Sequence, residues 1–245
     1  MKRFLRYVLL PVSLSLMVAS CSVYHPQSVD IPLIEHVGDV RLDASLGTSW
    51  WLTPDAVTLN ATGTVGITDK FAGQLHVNYG GDSYYLQAAP GFYLPFAQVL
   101  VFETYAGLGY GGGSRSLIDH KNSDNAVSDY AFDGTYFLPF AQANLGVTAW
   151  AVMHLDIAVA LKAGLFLPDF TYFDVDGSEH EIPGTRQTYD KANFLLEPQV
   201  MVRWGGSLFR TNVKVGFCWM SDLSKYETNF VYDYLTASVG LTFCF

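Results

Sequence analysis

The sequence predicts an all-β protein: a closed antiparallel up-and-down transmembrane β-barrel of about ten strands, with eight or twelve also compatible. Three observations predict it. Apolar and polar residues alternate with period two through most of residues 38–245, which marks strands with one apolar and one polar face. Half of the 245 residues are hydrophobic and only 15% are charged, yet the one long apolar run lies at the very start. The segments between the alternating stretches are short and long in turn, as in barrels with tight turns at one rim and larger loops at the other.

The elements follow in chain order. Residues 1–20 read as an export signal. Lys2, Arg3 and Arg6 form a positive start, and Tyr7 to Met17 form an apolar stretch too short for a good transmembrane helix, which needs ~20 residues. The junction Val18-Ala19-Ser20-Cys21 resembles the lipobox of bacterial lipoproteins, which implies lipidation of Cys21. Ser22 follows, and the same resemblance implies sorting to the outer membrane of a Gram-negative envelope. Several acyl chains anchor firmly where one gives a marginal hold. Residues 21–37 are then expected as a lipidated periplasmic tether, although the sequence leaves open whether 22–37 tuck into the barrel mouth. The anchor is expected in the periplasmic leaflet.

Ten strands follow from alternation. Val40, Leu42, Ala44 and Leu46 oppose Arg41, Asp43 and Ser45, and Val57 to Ile67 repeat the pattern. Further strands run through Gln74–Tyr79, Tyr85–Leu94, Leu100–Leu108, Leu155–Lys162, Phe194–Arg203 and Phe209–Phe217. One more is needed between Tyr130 and Val147, and Pro139 interrupts it. Pro90 and Pro198 also fall inside expected strands, where a proline removes a ladder hydrogen bond and a bulge could accommodate it. The last strand alternates from Val231 and ends in Leu241-Thr242-Phe243-Cys244-Phe245. Its closing aromatics Phe243 and Phe245 resemble the C-terminal signal read by the barrel-assembly machinery of outer membranes.

Short links are expected near Thr68–Phe71, Pro95–Gln98, Ala149–Met153 and Gly205–Ser207. Long polar loops are expected at Gly111–Asp129 and Pro168–Lys191. A lipidated start and a closing strand on the same side of the membrane require an even strand count. Trp50, Trp51, Trp204 and Trp219 fall near strand ends, where aromatic girdles belong. Cys218 and Cys244 end neighbouring strands at opposite rims, too far apart for a disulfide, which needs Cα atoms within ~7 Å.

Taken with Val18–Cys21, the run Phe102-Glu103-Thr104-Tyr105-Ala106-Gly107-Leu108-Gly109-Tyr110-Gly111 and the closing segment resemble small outer-membrane barrels of the OmpA/OmpX-like type, in a lipobox-bearing version. The resemblance covers residues 38–245 by pattern, so it implies fold and location and transfers no active-site residue.

The face opposite the apolar one carries Arg41, Asp43, Glu103, Asp156, Lys162, Glu197, Arg203, Arg210 and Lys214, together with His76 and His154. Buried charges are costly unless paired, so five bases and four acids in one narrow bore predict an interior charge network that fills it. A barrel near ten strands is expected to leave little room beyond its own side chains, since aqueous pores belong to about sixteen. The expected role is structural, or a surface interaction with an extracellular protein or glycan through acidic loops, beside outer-membrane lipids as constant partners. A narrow channel for small solutes is the alternative, and a lipid-modifying or proteolytic enzyme a further one. No catalytic residue is assigned, because His76 has no serine on its face and His120 and His180 sit on acidic loops. Asp174–Glu179 lacks the ligand spacing of a calcium loop, and no metal or cofactor is implied. A net charge of −9 argues against nucleic acid, whose phosphates need clustered bases.

Overall fold

The computed structural model describes residues 24, 29–50, 54–80, 83–96, 99–119, 128–150, 155–175, 180–222, 232 and 234–245. Cys21, Trp51, His120, His154 and residues 176–179 lie outside them. Strands β1 (Val40–Trp50), β2 (Pro54–Gly66), β3 (Phe71–Gly80), β4 (Ser83–Phe96), β5 (Leu100–Asp119), β6 (Ser128–Trp150) and β7 (Leu155–Val175) form an antiparallel meander. They are followed by β8 (Gln187–Tyr189), β9 (Asn193–Gly205), β10 (Phe209–Phe217), β11 (Trp219–Asp222) and β12 (Leu235–Cys244). β8 continues the line of β9 along β7, and β11 continues β10 past Cys218. Pairing of β7 with β9 and of β1 with β12 closes the sheet. Among the described residues the wall is therefore ten continuous strands.

Strand alternation sets the two faces. Outward positions are apolar and open, with Leu59 at 54%, Leu75 at 60% and Val239 at 55% exposure. Inward neighbours such as Asn60, His76 and Glu103 are buried. In water each half-open apolar side chain would cost about 1 kcal/mol, and the whole belt tens of kcal/mol. Hydrocarbon is the solvent that removes this cost, so the outer surface is that of a transmembrane barrel. Aromatic pairs flank the belt: Phe71–Phe92 and Phe209–Phe243 near the turn end, Tyr84–Tyr110 and Phe194–Trp219 toward the loop end. Phe245 exchanges both backbone hydrogen bonds with Val40, at 3.0 and 2.9 Å, which locks the last strand to the first. Cys218 and Cys244 do not form a disulfide.

The prolines are accommodated by one-sided pairing rather than by a register shift. Pro90 pairs with Gly73 on β3, and the β5 ladder skips from Ala88 to Gly91. Pro139 pairs with β5, and the β7 ladder is interrupted beside it. Pro198 pairs with Leu161 on β7, and the β9–β10 ladder stops one residue short of it at Gln199. Each ring turns its missing donor toward one neighbour and leaves the other ladder intact.

Two expectations need correction. The long polar loops at 111–129 and 168–191 are in part strand: β5 runs to Asp119, β6 starts at Ser128 and β7 runs to Val175. Glycines hid the alternation in the first, and Pro168 marked a false break in the second. Gly109 and Gly111 face the bore beneath the rings of Tyr85 and Tyr136, and a Cβ on Gly109 would lie 2.0 Å from the Tyr85 hydroxyl.

The second correction concerns the described part of the expected periplasmic tether, residue 24 and residues 29–37. Tyr24, Val29, Asp30, Ile31, Leu33 and Ile34 are buried inside the barrel. Ile34 packs near the turn end with Ala72, Tyr93 and Tyr105, whereas Tyr24 packs toward the loop end with Leu195, Phe166 and Cys218. The described residues of this segment, the strap, thus lie inside the bore, Tyr24 toward the loop end and Ile34 near the turn end, before Val40 enters the wall. Leu195 stands ten residues above Gly205 on β9, about 25 Å at the usual rise and tilt. Val40 and Phe245 share one rim, and the described wall has an even number of strands.

Candidate functional site: the strapped bore

The strap is held by the wall's side chains, without a ladder to any strand. Among the described residues its one bridge joins Tyr24 to Tyr232. Its backbone is instead read by directed contacts. Gln142 Nε2 donates to the Asp30 carbonyl at 2.7 Å, and Arg203 Nη2 to the Pro32 carbonyl at 3.1 Å. The Ile34 amide donates to Glu103 Oε1 at 2.8 Å. Leu33 has φ of 56°, a left-handed conformation that costs a branched side chain about 1–2 kcal/mol. The seat therefore imposes a shape that the free segment would avoid.

Apolar contact supplies the rest. Val29, Ile31 and Leu33 lie on Val101, Ala158, Ala160 and Met201, and a Cβ on Gly146 would meet Leu33 Cδ2 at 2.6 Å. This wall is built of small residues where a peptide needs width. Toward the loop end Tyr24 meets Tyr136 and Phe166 edge-on, with centroids 5.6 and 5.4 Å apart, while Tyr85 stacks on Tyr136. The expected lack of room is thus corrected: the ten-stranded bore encloses its own side chains and a peptide segment as well.

The nine charged residues marked in the sequence all face this interior, in separate groups. Lys214 contacts Asp43 at 3.0 Å and also Asp30 of the strap. Asn212 and Thr242 donate to the other Asp43 oxygen. Asp156 Oδ2 receives Arg203 at 2.8 Å and Arg210 at 2.6 Å. Lys162 lies 3.9 Å from Glu197, donates to Gln87 at 2.8 Å and sits over the Phe140 ring. Glu197 also accepts the Tyr24 hydroxyl at 2.9 Å. Arg41 stands apart at the turn end, 3.5 Å from Asp39. Glu103 has amide and hydroxyl donors around it, from Ile34, Asn144 and Tyr105. His76 contacts Thr62 through Nδ1 at 2.8 Å.

Sequence reasoning missed Tyr24, Asp30, Gln142 and Asn144. The available signal was Val29-Asp30-Ile31-Pro32-Leu33-Ile34, an apolar run with one carboxylate directly before the first strand. Outside the bore, Glu181 and Arg186 form a bidentate pair on the β7–β8 connection, at 3.1 and 2.6 Å. The Arg186 hydrogen bonds lower the Glu181 pKa, and Glu181 in turn raises that of Arg186.

Comparison with known proteins gives fold neighbours only. No family profile matches the sequence, and no curated protein matches it. Among solved structures, the chain is similar to the translocator domain of the autotransporter NalP from Neisseria meningitidis. That match has 12% identity and a TM-score of 0.38, over 86% of this chain and 90% of that one. CymD, a monoaromatic hydrocarbon channel, matches at 7% identity and TM-score 0.28, over 86% and 89%. A loop-deleted form of OmpT, an outer-membrane protein of Vibrio cholerae, matches at 9% identity and TM-score 0.22, over 84% and 98%.

Proposed function

We propose that this protein is an outer-membrane barrel, anchored by lipid on Cys21 and closed at rest by its own N-terminal strap, with a structural or surface-interaction role. The bore observation carries this reading. Asp30, Ile31, Leu33 and Ile34 are buried among side chains that are themselves buried, so among the described residues the bore is occupied at this level. β5, β6 and β7 extend to 20, 23 and 21 residues, against the 9–11 that span a bilayer. Their upper halves form a wall standing clear of the membrane, suited to contact with an extracellular protein or glycan. In this reading the turn end faces the periplasm, and the Cys21 lipid sits in the periplasmic leaflet.

Two measurements test it. Purified wild-type protein in planar bilayers is expected to show no steady conductance; a stable open current would overturn the closed-bore reading. C21A is expected to lose acyl labelling in cells; persistent label would overturn lipidation at that residue.

A further inference from the structure

We propose that the strap is an exchangeable plug, and that the seat it fills is a binding site for an extended peptide bearing one carboxylate. The contacts themselves carry this. Gln142, Arg203 and Glu103 bind a carbonyl, a carbonyl and an amide, groups that any peptide presents. The single strap side chain read by charge is Asp30, at Lys214. The wall residues Val101, Ala158 and Ala160 pack against the strap's Val29, Ile31 and Leu33. Nothing joins the strap to the sheet at Asp30–Ile34 by a ladder, so it can leave without breaking the wall's own pairing. The left-handed backbone at Leu33 is released when it leaves.

Withdrawal would leave matched partners behind. Arg203 keeps Asp156, and Lys214 keeps Asp43, so the emptied bore keeps these charges paired beside the apolar patch of Val101, Ala158, Ala160 and Met201. What it loses is the second carboxylate on Lys214, the amide donor on Glu103 and the backbone acceptors of Gln142 and Arg203. An incoming extended segment with an acid followed four residues later by a free backbone amide supplies all of these. Withdrawal of the plug therefore converts a closed barrel into a conduit whose wall binds a peptide at the level of Asp30–Ile34.

The inference rests on the closed-bore reading above, and one experiment separates their failures. Full-length wild type, D30K and the charge-exchanged D30K/K214E are reconstituted in planar bilayers in potassium chloride. D30K places two like charges at the seat and is expected to raise open probability at least tenfold. D30K/K214E is expected to close the bore again. A synthetic peptide with the sequence of residues 24–36 is expected to block D30K, and the same peptide with lysine at the Asp30 position is expected not to. If wild type is closed and folded D30K is equally closed, the plug is not exchangeable and this inference fails while the closed-bore reading stands. If D30K conducts but the peptide never blocks it, the peptide site fails. Should D30K not assemble, as judged by heat-modifiable migration, I31A removes an apolar anchor without adding charge and replaces it in the same measurements.

Discussion

At the loop end of the bore Tyr24 lies among the rings of Tyr85, Tyr136 and Phe166, with one hydroxyl bond to Glu197. Toward the turn end, Asp30 to Ile34 are gripped by Lys214, Gln142, Arg203 and Glu103. The first region holds by shape and dispersion, which tolerate small displacements. The second holds by direction and charge, which fix register and punish misplacement. A strap needs both, because rings alone would let it slide, and buried charges alone would cost more desolvation than they return.

The largest expected effect breaks the charged half. D156N leaves Arg203 and Arg210 buried without their shared carboxylate. It should destabilise the barrel by about 3–5 kcal/mol, read from urea unfolding in detergent micelles. Loss below about 1 kcal/mol would show that those cations find water instead. Next comes the aromatic half. Y24A removes a fully enclosed ring and should cost about 3 kcal/mol, whereas Y24F keeps the ring, loses the hydroxyl bond to Glu197 and should cost about 1 kcal/mol. Equal losses would mean that the hydroxyl, and not the ring, holds the loop end.

G109A sharpens the comparison further. Its Cβ would collide with Tyr85, so about 1–2 kcal/mol is expected from displacing that ring. The loss should appear as faster hydrogen exchange around Tyr136 and Phe166, with the Asp30–Ile34 contacts unchanged. The smallest effect lies outside the bore. Because Arg186 lowers the Glu181 pKa, this pair supports the β7–β8 connection above the ordinary glutamate range. That support is lost as pH falls through the depressed value, so loop amides should exchange faster only in acid. R186Q should remove the pH step.

The wall was legible because alternation is a direct consequence of strand geometry. Val40–Leu46 and Phe209–Phe217 show it in every residue. It faded where Gly111–Gly113 carry no side chain to alternate, and where Pro139 and Pro168 look like breakers although only one ladder bond is at stake. The wall's share of the bore was legible for the same reason: Glu103, Lys162 and Lys214 fall on the polar face. The strap was not. Val29–Ile34 has no period, and its function depends on a cavity that only the closed barrel creates. Asp30 looks like an isolated surface acid until Lys214, 184 residues away in sequence, is brought beside it.

The most direct test of a strap inside the barrel is hydrogen exchange at the Ile34 amide in the intact protein. Bonded to Glu103 at 2.8 Å and sealed from water, it should exchange as slowly as the amides of β1 and β12. Exchange at the rate of an unstructured peptide would contradict a strapped bore.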